Sequence, residues 1–239
     1  MALTLPCKSK ALLHNHRCTD FVYVFDANTE KFRKQNTTGV APSSRGLHAA
    51  CMLGSFGLFF GGADKTGSIT NDVFLLNTFT WEWTPVKIKL DANDPNPEMA
   101  MPSVRAAPSM VSYNETCAVL YGGAKASESG LEPLDDEWAL FVNRFSGEGR
   151  WDLISPVSST SLKISKDKGG SVMPPGRNAA TLSEITVPAP TKKGDTTCRT
   201  FNRIAAPQTK YFLLHGGWAP FRQTFMDDFI LRVSVGSRE

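Results

Sequence analysis

From Arg45 to Trp83 the apolar positions fall in short blocks broken by glycine and polar residues, a pattern that predicts one four-stranded sheet. An arginine stands before a first strand, His48 to Leu53. A turn at Gly54-Ser55 leads into a second strand, Phe56 to Phe60, which ends at Gly61-Gly62. A polar loop then reaches Asn71-Asp72, a third strand covers Val73 to Leu76, and a further turn delivers Trp81 and Trp83 to a fourth. The third strand is apolar at successive positions, so both its faces should be covered, as in a sheet packed between two others.

The same order recurs. A second copy runs from Arg105 through Tyr121-Gly122-Gly123 and Asp135-Asp136-Glu137-Trp138-Ala139-Leu140-Phe141 to Trp151. A third has Arg177, His215-Gly216-Gly217 and Asp227-Asp228-Phe229-Ile230-Leu231. Asp20 to Asp26, with Phe32 in the place of the tryptophan, reads as the back half of a further unit. Each glycine pair marks a sharp corner where neighbouring backbone can approach closely. Trp83 and Trp151 supply large apolar area near the outer edge of a sheet, where the gap between radially arranged sheets widens.

Arginine, glycine pair, acidic pair, apolar strand and tryptophan in fixed order resemble the kelch family, whose members fold as β-propellers. The resemblance covers about residues 20 to 233. It implies an all-β fold, a partial kelch-type β-propeller of two full blades plus two partial blades. From Gly61 to Gly122 is 61 positions and from Gly122 to Gly216 is 94, against about 50 for a kelch repeat, so the blades should carry insertions. The expected organisation is a flexible N-terminal segment 1–19, blades over 20–233 with insertions at 155–176 and 184–208, and a tail 234–239. Kelch rings commonly close with six or seven blades. The chain is therefore expected to be a fragment of a longer propeller, an open arc whose edges a partner covers, or a ring with unrecognised blades.

With 41% hydrophobic and 21% charged residues the composition is that of a globular domain, and a net charge of +3 names no partner. No apolar run approaches the ~18 residues of a membrane span. The five cysteines are odd in number and follow no framework, which fits reduced thiols in a cytoplasmic protein. The N-terminus lacks the order of a secretory signal and weakly resembles a transit peptide. Charge changes the picture in one place. Residues 155–210 hold nine basic and three acidic residues, so the positive charge is concentrated there. Lys163, Lys166, Lys168, Lys192 and Lys193 could form a basic arm for an acidic protein, an RNA or a lipid surface, or simply a solvated loop.

Chemistry leaves little trace. His14 and His16 have no second cluster to complete a metal site, and His48 and His215 fall in different blades. Some kelch-type propellers are enzymes. Their copper-radical and iron motifs, a phosphate-binding loop and a nucleophile elbow find no match here. No metal or cofactor is expected. The resemblance points instead to Arg45, Arg105 and Arg177, each just before a channel-lining strand. They could together hold a carboxylate-bearing peptide, as kelch adaptors often bind acidic motifs on that face. Alternatively each braces its own blade on Asp72, Asp136 or Asp228. The expected function is a non-catalytic protein-interaction scaffold. A channel-mouth enzyme, or a structural subunit contacting RNA or an acidic surface, is the alternative, with nucleic acid the less favoured partner.

Overall fold

The computed structural model describes residues 2–4, 21–90, 100–128, 130–154, 160–163, 174–186, 209–219 and 223–235. All the regular structure in them is β. Four sheets follow one another along the chain. A partial sheet contains Ala2–Thr4, Val22–Asp26 and Lys31–Gln35. The first full sheet pairs Ala49–Leu53, Phe56–Asp64, Ile69–Asn77 and Glu82–Pro85, each antiparallel to the next. In the second, the corresponding strands are Ser109–Ser112, Cys117–Tyr121, Glu137–Asn143 and Glu148–Leu153. The third aligns Thr181–Ile185, Thr209–His215 and Asp228–Ser234.

The incoming chain edges each sheet. Thr38–Gly39 lies parallel to Glu82–Trp83 of the first sheet, and Lys87–Ile88 lies parallel to Glu148–Gly149 of the second. In the third sheet Thr160–Lys163 pairs antiparallel with Asp228–Ser234 and takes the outer place itself. Those four residues belong to the stretch read from composition as an insertion, which is thus not loop throughout. The second expected insertion also begins later than 184, because Glu184 and Ile185 still pair with Phe212 and Tyr211. Ala2–Thr4, within the segment expected to be flexible, pairs with Val22–Asp26.

Two further expectations need correction. In the first sheet the second strand does not stop at the glycine pair but runs on to Asp64, with a register shift between Phe60 and Gly62. Its neighbour starts at Ile69, so the polar loop before Asn71-Asp72 shrinks to four residues. The Asp64 carboxylate accepts from the Thr66 and Ser68 amides and ties this loop into a tight turn.

Alternation along the central strands places the core. Leu58, Phe60, Val73 and Leu75 of the first sheet meet Ala118, Leu120, Trp138, Leu140 and Trp151 of the second. The intervening second-sheet positions Cys117, Val119, Tyr121 and Ala139 meet Leu182, Phe212, Leu214, Phe229 and Leu231 of the third. On the other side, Phe59, Phe74, Leu76 and Trp83 meet Val22 of the partial sheet. A strand whose two faces enter two different cores must be apolar throughout, which is what the unbroken runs Val73–Leu76 and Cys117–Tyr121 show. No helix among the described residues is long and apolar enough to cross a membrane.

Candidate functional site

The three arginines sit where each sheet's innermost strand begins, and each guanidinium is engaged within its own sheet. Arg105 Nη1 donates to the Gly122 carbonyl at 2.9 Å and to Asp136 Oδ1 at 2.6 Å, while Nη2 reaches Asp136 Oδ2 at 2.8 Å. Its Nε donates to the Ser103 carbonyl at 3.1 Å. Arg45 repeats this with Gly61, Asp72 and Ser43. Arg177 Nη1 bonds the Gly216 carbonyl at 2.8 Å and Asp227 Oδ1 at 2.7 Å, and its Nε donates to Pro175. The third acid is therefore Asp227 and not Asp228, which pairs with His215 Nδ1 at 2.5 Å. The side chains of Arg105 and Arg177 are 0% exposed. Arg177 also stacks on Phe225, its Cζ 4.0 Å from the ring centroid.

Charge-assisted bonds of this kind shift the acids. Burial pushes the Asp136 carboxyl up, but the Arg105 bonds and charge, with the Trp138 indole N–H, outweigh it and hold the group below the usual carboxylate value. Asp72 is depressed in the same way, burial opposing and Arg45 and Thr70 prevailing. Burial, then the Arg45 charge, lowers the pKa of His48. Burial likewise pushes the Cys51 and Cys117 thiols up to about 12, so neither is a ready nucleophile.

The arginine backbones join neighbouring sheets. Gly62 N–H donates to the Arg105 carbonyl and Gly123 N–H to the Arg177 carbonyl, both at 3.0 Å. Gly61 (φ 65°) and Gly122 (φ 61°) are required here, because a Cβ would stand 2.8 and 2.5 Å from those same carbonyls. Two residues beyond each arginine, Leu47, Ala107 and Ala179 take left-handed conformations at φ 57°, 50° and 51°. Ala107 N–H donates to the Leu47 carbonyl at 2.7 Å and Ala179 N–H to the Ala107 carbonyl at 2.8 Å, a ladder running from sheet to sheet. Sequence reading missed these three. They are not glycine, and their shared offset from the arginine was the one available signal.

The tryptophans fill the outer wedges: Trp83 is 5% and Trp151 4% exposed. Gly216 and Gly217 share the left-handed conformation of the other pairs. Lys163 lies in the outer strand of the third sheet, and Lys166, Lys168, Lys192 and Lys193 lie outside the described residues. Among the described residues no group of three or more His, Cys, Asp or Glu could hold a metal ion. A groove of about 770 Å³, lined by Tyr113, Phe141, Arg144 and Arg150 among others, opens beside the outer hairpin of the second sheet. Its cations are held by local acids: Lys89 by Glu148, Arg144 by Glu115 and Arg150 by Asp152.

Consecutive radial sheets, each closed by an Arg–Asp pair and a glycine corner, define a kelch-type β-propeller, here a partial one. Residues 11–168 match the family described as the KLHDC2/KLHL20/DRC7 Kelch-repeats domain, and the chain belongs to that family. It is 29% identical over 131 residues to Kelch domain-containing protein 2 of Bos taurus, covering 55% of this chain and 29% of that protein. It is 38% identical over 69 residues to Kelch domain-containing protein 3 of Rattus norvegicus, covering 28% of this chain and 18% of the relative. The chain thus matches less than a third of the length of either. Among solved structures it is similar to the one titled "Structure of YjhT", with a TM-score of 0.46 and 16% identity over 88% of this chain and 48% of that one.

Proposed function

We propose that this chain is a non-catalytic protein-interaction segment, in which a fixed kelch scaffold presents loops that differ from blade to blade. The observation that carries the reading is the contrast at the glycine-pair face. The Arg–Asp–Gly brace is repeated three times, yet the hairpin after the glycine pair differs in residues and length: in the first sheet Ala63-Asp64 returns at Ile69-Thr70 across a four-residue turn. It becomes the hairpin Ala124–Ser127 with Gly130–Pro133 in the second, and Trp218–Ala219 with Gln223–Thr224 in the third. Constant framework beneath variable loops is the arrangement that suits recognition.

The partner chemistry we propose is an acidic peptide, drawn by the basic residues Lys163, Lys166, Lys168, Lys192 and Lys193. Arg45, Arg105 and Arg177 support the face from beneath: a partner carboxylate could reach Arg105 only by displacing Asp136, which holds both of its terminal nitrogens. Fluorescence anisotropy with a labelled oligoglutamate peptide tests this. Reversing the five lysines to glutamate should abolish binding while leaving the melting temperature within a degree or two, and binding should weaken as salt rises. Unchanged affinity in the reversed variant would refute the basic-arm reading.

A further inference from the structure

Three residues past each arginine stand His48, Pro108 and Ala180, and each lies against the second glycine of its own sheet's pair. A Cβ added at Gly62, Gly123 or Gly217 would stand 3.0, 3.1 and 3.0 Å from their Cβ atoms, respectively. Proline and alanine carry no charge there, so of the three corners only the first holds a titratable ring. His48 is partly buried, its ring centroid 5.8 Å from that of Phe59. With Pro42, Arg45, Phe60 and Phe74 it lines a cavity of about 20 Å³, the size of a single water molecule. Its Nδ1 is enclosed and has no hydrogen-bond partner among the described residues. The charged groups nearby disfavour a further positive charge. Arg45 is the cation beside the ring. Asp72, on the neighbouring strand, is bonded through both oxygens to that arginine. Asp64, opposite Arg45 in the ladder, is taken up by the Thr66 and Ser68 amides. From the partial sheet packed on this face, Val22 enters the core and Arg33 lies over Trp81.

We infer that His48 is an acid-responsive latch on the first glycine corner: proton uptake drives its ring off Gly62 and loosens the joint between the first and second sheets. Gly62 N–H donates to the Arg105 carbonyl, so moving Gly62 releases that bond. The same strand runs on to Asp64 and the turn that the first sheet presents, so acid reshapes one loop of that face and spares the other two. In the closed corner burial, then the Arg45 charge, holds the imidazole below its ordinary value of 6.5. Opened to water, the ring returns toward that value. The open corner therefore binds the proton more readily, and closure weakens as pH falls below about 6.5, fully so once pH passes the lower closed-state value. With one proton coupled to opening, the opening equilibrium rises by up to about tenfold per pH unit across that window. The window lies above the one in which Asp72 and Asp136 titrate, so the two acid effects separate.

Amide exchange, corrected for its intrinsic pH dependence, reads the latch in the full chain. Gly62 should be as protected as Gly123 at pH 7 and should lose about tenfold in protection by pH 5, while Gly123, beside Pro108, keeps its own. His48→Ala gives the first sheet the residue that the third already has at Ala180, and it should hold Gly62 protection constant over the same range. His215→Gln, at the other described histidine, should leave the loss in place. The ring protons of His48 in the unaltered chain should titrate with a midpoint below 6.5, a reading that needs no variant to fold. Gly62 protection constant from pH 7 to 5, a loss that survives His48→Ala, an equal loss at Gly123, or a His48 ring titrating at or above 6.5 would each overturn the latch. Peptide capture is measured at pH 7, where the corner is closed, so the latch and the proposed function fail separately.

Discussion

Phe60, Tyr121 and His215 each stand on the second strand of a full sheet, immediately before its glycine pair. Phe60 is 1% and Tyr121 0% exposed, beneath the next sheet, whereas the His215 side chain is 61% exposed and bonded to Asp228. At the opposite end, Phe32 lies across from Phe25 as Trp83 lies across from Leu76, and Trp151 from Leu140. Phe32 is 62% exposed. Equivalent positions in one repeat pattern thus live in two environments, sealed junctions between full sheets and the more exposed Phe32 and His215 at either end of the described sheets. The difference teaches that a residue's contribution here comes from the neighbouring sheet more than from its own.

Mutation tests that contrast, beginning with the core substitutions. Trp151→Ala removes a ring in edge contact with both Phe60 and Trp138 and should cost about 3–5 kcal/mol in denaturant unfolding. Phe32→Ala at the open end should stay within about 0.5 kcal/mol, as for an ordinary surface substitution. Comparable losses at the two positions would mean that the partial sheet is covered in solution.

Arg105→Ala leaves Asp136 half-buried without its partner and should cost about 3–5 kcal/mol. The same change at Arg45, whose Asp72 is 41% exposed, should cost less, because water can solvate the abandoned acid. Charge reversal of Arg105 should unfold the protein outright. A stably folded reversed variant that lost peptide binding would instead make this arginine a recognition residue.

Next in size are the glycines. Gly122→Ala and Gly216→Ala both force a Cβ onto left-handed backbone, at roughly 1–2 kcal/mol, but at Gly122 it also meets the Arg177 carbonyl. Thermal melts should show the Gly122 variant the less stable of the two, and equal shifts would indicate that the third corner is filled. The smallest effect concerns acid. Asp72 and Asp136 have folded pKa values below their ordinary value, so the stability they contribute is present above about pH 4. It is lost as pH falls through the lower folded values. Arg105→Ala should flatten the acid limb of a stability–pH curve, and an unchanged limb would assign the acid sensitivity to other carboxylates.

The repeat itself was legible because it is written in residues with few substitutes. Glycine is needed where φ is positive and a carbonyl approaches, and the buried arginine has five donors to match a carboxylate and a peptide carbonyl at once. Which acid it takes was less legible. Asp227-Asp228 offers two adjacent carboxylates where the chain enters the strand Asp228–Ser234, and only the folded path there decides that Asp227 bonds Arg177 while Asp228 bonds His215. Thr160–Lys163 carries no strong strand signal in its few polar and apolar residues, and its place comes from distant pairing, Leu162 with Ile230 68 residues later and Ser161 with Leu231 70 residues later. The left-handed turns at Leu47, Ala107 and Ala179 leave no mark in local composition, only a shared offset from the arginine, because tertiary bonds hold them.

The arginine turn of the neighbouring sheet seals the glycine corners at Gly62 and Gly123, and amide exchange measured at dilution reads this directly. Gly62 and Gly123 should exchange only on global unfolding, with Gly217 exchanging orders of magnitude faster through local opening. Equal protection at all three glycines, or rapid exchange at Gly62 and Gly123, would contradict it.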